Sequence, residues 1–310
     1  MVRRGSLALA AALMAASIAT AQNAPPQQPQ QQRPARPVLP DTPGSGPYPA
    51  RMEIDATIPN HVIYRPADLN RLDGRKLGVI VWGNGGCTDD GASARLHLAE
   101  LASHGYLVVA SGKILTGPSA PAGSPASTPM TTNADDMRRG LDWALGENGR
   151  RGSAYYRRID PRIVAVSGHS CGGILSLQLA PDPRIKAIIL HNSGVFPNRP
   201  ERPTLITDKA MLKGLRTPVL YVIGNETDVA WPIATDDFSK IDHVPVMLAS
   251  LTTVGHGGTF GQPNGGIAAR VALDWLDWQL HGNKQAAQTF RGASCRLCVD
   301  PAWKVQRKGL

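Results

Sequence analysis

Short apolar runs alternate with amphipathic stretches between about residue 60 and residue 281, and this alternation constrains the fold most. Several of the runs are rich in Val and Ile on both faces, which is typical of strands buried on both sides. The pattern therefore predicts an α/β fold with a mostly parallel central sheet and helices on both faces. The predicted strands are 77–82, 106–111, 162–167, 185–191, 218–223 and 246–254, and the predicted helices are 91–104, 134–147, 171–180, 207–215, 233–240 and 265–281.

The most informative segment joins strand 162–167 to helix 171–180 through a short turn. The turn has the sequence Gly168-His169-Ser170-Cys171-Gly172-Gly173. Where a strand is followed by the motif Gly-x-Ser-x-Gly and then by a helix, the serine lies on a sharp turn with its hydroxyl oxygen exposed. The next amide lies at a helix N-terminus, where N–H groups can receive a developing negative charge. The segment therefore predicts Ser170 as a nucleophile.

A serine nucleophile needs a base, and the base needs a carboxylate that orients it. Strand 246–254 is followed by His256, and strand 218–223 leads into a loop that contains Asp228. Both residues follow the serine in the chain order serine, acid, histidine, and both lie after strand ends. We therefore predict Asp228 and His256 as the acid and the base. Glu226 is the best alternative acid, but Asp228 lies deeper in the loop.

The turn after strand 77–82 is also rich in glycine and has the sequence Gly83-Asn84-Gly85-Gly86-Cys87. Such a turn exposes backbone amides, which predicts the second half of an oxyanion hole. No Gly-Lys-Ser or Gly-Lys-Thr follows it, so the turn does not have the pattern of a phosphate-binding loop.

The two ends of the chain differ from its centre. Residues 1–21 have a basic start, an apolar run and a small-residue cleavage pattern, which predicts a signal peptide and a secreted or periplasmic protein. Residues 22–50 contain nine prolines and six glutamines, which predicts an extended linker before a domain at 51–310. Residues 51–300 carry a net charge of only +3 of the total +9. No basic cluster indicates nucleic-acid binding.

The segment from Val79 to about Trp278 resembles the α/β hydrolases of the dienelactone-hydrolase, chlorophyllase and cutinase-like polyester-hydrolase group. The matching features are residues 101–106, Ile159-Asp160 and the turn 168–173. The resemblance implies an α/β-hydrolase fold, an exported serine esterase that forms an acyl-serine, and oxyanion amides at Cys87 and Cys171. The 57 residues between the predicted serine and acid must include a strand and a helix, so we expect no large lid. The alternatives are a cutinase-like polyester hydrolase or an acyltransferase on the same triad, or a non-catalytic binding protein on this scaffold.

Polyester hydrolases of this group clamp an aromatic ring between two aromatic side chains. The corresponding positions here are Cys87 and Gly194, which predicts a preference for small or flexible esters over aromatic polyesters. We expect the substrate, a small-molecule or polymeric ester, to contact Gly86, Gly194, Phe196 and Trp231. We expect no cofactor, no metal ion, no membrane span and a monomeric protein.

Four cysteines in an exported chain indicate disulfides, with three possible connectivities. Cys295 and Cys298 form a C-x-x-C without further zinc ligands nearby, so we predict a local disulfide. Two amides that approach one oxygen must belong to neighbouring residues, and this separation overlaps the Cα distance of a disulfide. We therefore predict a Cys87–Cys171 disulfide, with two separate buried thiols as the alternative.

Overall fold

A computed structural model describes residues 38–125, 128–196, 205 and 207–310. The predicted signal peptide at 1–21 and residues 22–37 of the predicted linker lie outside the described residues, and their assignments stay predictions. Further along that linker, Ser45 donates from its amide and its hydroxyl to the Glu100 carboxylate at 2.7 and 2.6 Å. The Gly46 amide donates to the Ser103 hydroxyl at 2.9 Å. These bonds attach the end of the predicted linker to the domain.

One mostly parallel sheet contains the nine strands of the described residues, in the spatial order β1-β2-β4-β3-β5-β6-β7-β8-β9. The strands are β1 (Ala50–Ile54), β2 (His61–Pro66), β3 (Leu77–Gly83), β4 (Tyr106–Ser111), β5 (Ile159–His169), β6 (Ala187–His191), β7 (Val219–Ile223), β8 (Val246–Leu251) and β9 (Trp303–Lys308). Strands β3 to β8 pair in parallel, while β1, β2 and β9 pair antiparallel at the two edges. The predicted parallel sheet is confirmed.

Helices cover both faces of this sheet, as predicted. They are α1 (Arg95–Ser103), α2 (Ala134–Gly149), α3 (Cys171–Leu179), α4 (Trp231–Lys240), α5 (Gly266–His281), α6 (Lys284–Ala287) and α7 (Arg296–Val299). Buried side chains of α2, α3 and α4 belong to one core cluster, and those of α1, α5 and α7 belong to a second. The predicted helix at 207–215 is a short 3-10 helix at Lys209–Gly214.

The apolar runs did not indicate β1, β2 or β9. Most residues of β1 and β9 are at least partly exposed, whereas β2 is buried throughout but contains His61 and Arg65. The last of these, β9, lies in a basic segment. Trp303 is buried and faces Leu251 across the antiparallel pair, so the segment covers the edge of β8. Its cations have partners, because Lys304 pairs with Glu226 at 2.9 Å and Lys308 pairs with Asp242 at 2.7 Å.

A cluster of four rings lies between the sheet and α1: Trp82, His97, His191 and Phe260. The centroids of the two imidazoles are 4.8 Å apart, and each imidazole is within 6 Å of Trp82 and Phe260. No ring nitrogen of either histidine has a hydrogen-bond partner among the described residues. Burial lowers the pKa of His97 to about 3 and that of His191 well below its usual range. Both imidazoles are therefore neutral in the folded protein at ordinary pH.

These two histidines should make the protein sensitive to acid. Their folded pKa values are lowered, so below about pH 6.5 the unfolded chain binds protons that the folded protein does not. As the pH decreases from about 6 to 4, the free energy of unfolding should fall. We expect His97 and His191 together to add up to about 2.7 kcal/mol per pH unit to the slope of this fall. Urea unfolding of His97→Leu/His191→Leu at several pH values measures this slope. A slope equal to that of wild type, or to that of the exposed-site control His281→Leu, would contradict the prediction.

Candidate active site

Ser170 lies between β5 and α3 at the C-terminal edge of the sheet. Its φ of 51° and ψ of −118° are strained for a non-glycine residue, as expected for a serine on a sharp strand-to-helix turn. Its amide donates to the His191 carbonyl at 3.0 Å. Its carbonyl accepts from the Ser193 hydroxyl at 2.6 Å. The turn is therefore fixed from both sides by the residues that end and follow β6.

Direct contact between backbones supports this turn. A Cβ atom at Gly172 would lie 2.0 Å from the carbonyl of Gly83, and one at Gly168 would lie 2.4 Å from the carbonyl of Gly172. No real Cβ atom approaches another atom so closely, so any larger residue at Gly172 would push α3 away from β3. Close packing of the backbones therefore requires glycine at these positions, whatever chemistry the site performs.

A continuous hydrogen-bond chain joins the three predicted catalytic side chains. His256 Nε2 lies 2.9 Å from Ser170 Oγ, and His256 Nδ1 lies 2.7 Å from Asp228 Oδ1. Because the carboxylate accepts the Nδ1 proton, Nε2 is left to accept the serine hydroxyl proton. The Asp228 side chain is fully buried, whereas that of His256 is 34% exposed. The three predicted side chains thus come together in the order that nucleophilic catalysis requires.

Asp228 has a full set of hydrogen-bond partners. Besides the histidine, Oδ1 accepts from the Ala230 amide at 2.9 Å, and Oδ2 accepts from the Gly224 amide at 2.9 Å and Asn192 Nδ2 at 2.7 Å. Burial by itself would raise the pKa of Asp228, but these hydrogen bonds together outweigh it and lower the pKa. The carboxylate is therefore ionised and faces the imidazole with a fixed negative charge.

The rival acid does not reach the histidine. Glu226 is exposed, and its carboxylate pairs with Lys304 at 2.9 Å on the far strand of the sheet edge. Lys304 also lowers the pKa of Glu226 by donating a hydrogen bond to its carboxylate. The geometry therefore favours Asp228 over Glu226 as the partner of His256.

Two residues next to this hydrogen-bond chain were not predicted as part of the site from the sequence. Asn192, at a φ of 45°, donates from Nδ2 to Asp228 and also to the Gly255 carbonyl at 3.2 Å. His169 lies 2.9 Å from the carbonyl of His256 through Nε2. The rule that strand ends carry the site could have indicated Asn192, since it directly follows β6.

Both predicted disulfides are present. Cys87 and Cys171 are joined with their Cα atoms 5.3 Å apart, and Cys295 and Cys298 with theirs 4.9 Å apart. The first bond links the glycine-rich turn after β3 to the first residue of α3, directly beside Ser170. It therefore crosslinks the two segments that we expect to form the oxyanion hole.

The amides of that expected hole differ in their surroundings. Cys171 is the first residue of α3, at its N-terminal end. The Cys87 amide donates to the Asn84 carbonyl at 3.1 Å within a tight turn over Gly85–Cys87. A substrate oxygen would compete with that carbonyl for the N–H group. The oxyanion roles of both amides stay predictions.

The predicted substrate-binding residues lie at different distances from His256. The Phe196 ring is 6.5 Å from the imidazole, and Trp231 begins α4 three residues after Asp228. Gly86, with a φ of 65°, lies in the turn beside the exposed side chain of Met130. A Cβ atom at Gly194 would lie within 3 Å of side-chain atoms of Asp237 and Ile233 on α4. A larger residue at Gly194 would therefore require the side chains of Asp237 and Ile233 to shift.

Among residues 38–125, 128–196, 205 and 207–310, no group of three or more His, Cys, Asp or Glu side chains is arranged to hold a metal ion. The same residues include no helix that is long and apolar enough to span a membrane. Neither the protein-family models nor the curated proteins that were compared with the sequence match it.

The Cys87–Cys171 bond should stabilise the fold more than the other disulfide, because it closes a much longer loop. The sequence separations are 84 and 3 residues. In the chain-entropy description, we expect Cys87→Ala/Cys171→Ala to lower the free energy of unfolding by about 4.6 kcal/mol, and Cys295→Ala/Cys298→Ala by about 2 kcal/mol. Urea unfolding of both double variants tests this order. An equal or larger loss in the C-terminal pair would contradict it.

Proposed function

We propose that this protein is a serine hydrolase that cleaves carboxylic esters through an acyl-serine intermediate. The observation that carries the proposal is the chain from Ser170 Oγ through His256 to a buried, ionised Asp228, with distances of 2.9 and 2.7 Å. Serine, histidine and aspartate in this order at the C-terminal edge of a parallel sheet are typical of nucleophilic acyl transfer. The sequence resemblance to α/β hydrolases supports the same chemistry.

The first half of the proposed reaction transfers the acyl group to the enzyme. Ser170 Oγ attacks the ester carbonyl carbon while His256 Nε2 takes the hydroxyl proton. The imidazolium that forms is stabilised by Asp228, which stays ionised. The tetrahedral intermediate then collapses, and His256 returns the proton to the departing alcohol oxygen.

The second half releases the acid. Water replaces the alcohol, loses a proton to His256 and attacks the acyl carbon. The bond to Ser170 Oγ then breaks, and His256 returns the proton to that oxygen, which restores the serine hydroxyl. Both tetrahedral intermediates carry a negative oxygen beside the N-terminus of α3. The Cys171 amide is the natural donor there, and the disulfide fixes the turn of Cys87 next to it.

We also propose that the protein works outside the cytoplasm. Two disulfides persist in an oxidising compartment, and they agree with the secretory signal predicted at residues 1–21. The proposed location is therefore secreted or periplasmic.

Substitution of the three central residues tests the proposed activity. We expect Ser170→Ala, His256→Ala and Asp228→Asn each to lower kcat for a soluble p-nitrophenyl ester by at least about 1,000-fold, because the three act as one unit. The double variant Ser170→Ala/His256→Ala should be little worse than Ser170→Ala alone.

Glu226→Gln provides the matched control, since it neutralises a nearby carboxylate that pairs with Lys304 instead of His256. It should retain wild-type kcat. Near-full activity of Asp228→Asn together with a loss in Glu226→Gln would show that the acid is misassigned. Product analysis with added alcohol separates hydrolysis from acyl transfer, and pure wild-type protein without any activity would favour a binding role.

The substrate is proposed to be a small or flexible ester. Cys87 forms a disulfide and Gly194 packs against α4, so neither position carries an aromatic side chain that could clamp a ring of the substrate. We expect the rate of product release from a soluble butyrate ester to exceed that from an aromatic polyester film by at least about 100-fold. This factor is of the size by which missing substrate contacts lower kcat/KM. Comparable rates on the two substrates, measured by product release, would refute this preference.

A further inference from the structure

The base of the proposed triad lies in a segment without regular structure. Residues 252–262 connect β8 to the short 3-10 turn at Pro263–Gly265 before α5, and His256 lies near the start of this connection. A side chain on such a segment is positioned only as well as the backbone beneath it. A misplacement of about 1 Å at a reacting group can cost a hundredfold in rate. The contacts that fix this backbone therefore matter for the proposed reaction.

Three successive carbonyls of this segment are bonded to three different strand ends. The Val254 carbonyl accepts from the Asn225 amide at 2.8 Å, after β7. The Gly255 carbonyl accepts from Asn192 Nδ2 at 3.2 Å, after β6. The His256 carbonyl accepts from His169 Nε2 at 2.9 Å, at the end of β5. The backbone of the base is thus held at three consecutive points.

His169 lies next to three segments of the candidate site: the serine turn, the glycine-rich turn after β3 and the connection that carries His256. It directly precedes Ser170 in the chain. Its ring lies against Gly85 of the glycine-rich turn, where a Cβ atom would approach Nδ1 to 2.4 Å. Its centroid is 5.3 Å from that of His256 and 4.9 Å from that of Phe260.

Its protonation state suits a donor. Burial lowers the pKa of His169 to about 4, against the opposing effect of the His256 carbonyl, so the ring is neutral near neutral pH. A neutral imidazole carries one N–H, and a carbonyl can only accept. The proton is therefore on Nε2, and the tautomer is fixed by the bond to His256.

We infer that His169 is a positioning residue that sets the distance between His256 and Ser170 by holding the His256 carbonyl. This inference rests on the proposed hydrolase function. His169 does not touch the reacting atoms in this arrangement, because its donor is used on the backbone of the base. Loss of the hydrogen bond should therefore lower kcat and leave KM for a small ester unchanged.

A matched pair of variants isolates the hydrogen bond. Glutamine places an N–H group at about the position of Nε2, whereas methionine has a similar length and shape without a donor. Both variants lose the ring contacts equally. We expect kcat of His169→Met to be about tenfold below that of His169→Gln, from the net value of one buried hydrogen bond and the resulting misplacement of the base. KM of the two variants should agree, and their thermal midpoints should show that both stay folded at the assay temperature.

The outcomes separate this inference from the proposed function. Equal kcat in the two variants, or a difference that appears only in KM or in the thermal midpoint, would overturn the positioning role while active wild-type protein keeps the hydrolase proposal. Wild-type protein that hydrolyses no ester, or Ser170→Ala protein that hydrolyses as well as wild type, would overturn the proposed function, and the role of His169 with it. A kcat of His169→Gln above that of His169→Met at equal KM supports the inference.

Discussion

The backbones of β3 and α3 touch at Gly83 and Gly172, and the arrangement around Ser170 depends on this contact. It lets the helix begin directly over the end of the sheet, so that the chain must turn sharply at the serine. The Cys87–Cys171 disulfide then joins the turn that follows β3 to the first residue of α3, one residue beyond the serine. Backbone packing and the disulfide therefore fix the same short turn, and together they maintain the strained backbone conformation of Ser170.

The parallel strands supply the remaining geometry. Their C-terminal ends lie along one edge, where β5 carries the serine, the loop after β7 carries Asp228 and the connection after β8 carries His256. The buried carboxylate is ionised because four donors surround it, which outweighs its desolvation. Donors from three strand ends hold the backbone that leads to the imidazole. The proposed chemistry thus uses positions that the sheet itself aligns.

Most of this arrangement could be predicted from the sequence, because it depends on local patterns. The apolar runs located β3 to β8, and strand ends pointed to Asp228 and His256. The edge strands were missed, since β9 alternates buried Trp303 with basic residues and forms only where β8 offers an unpaired edge. The bond from His169 to a carbonyl 87 residues away depends on the path of an irregular connection, which has no periodicity to detect. The turn of the Cys87 amide towards Asn84 was missed for the same reason.

Covalent labelling of the serine tests the central claim most directly. A fluorophosphonate reacts when an activated serine oxygen displaces fluoride from phosphorus, and mass spectrometry of the digested protein locates the adduct. We predict one adduct, on Ser170, which disappears in His256→Ala because the serine is no longer deprotonated by a base. An adduct on another serine such as Ser193, or no adduct on the folded wild-type protein, would contradict it.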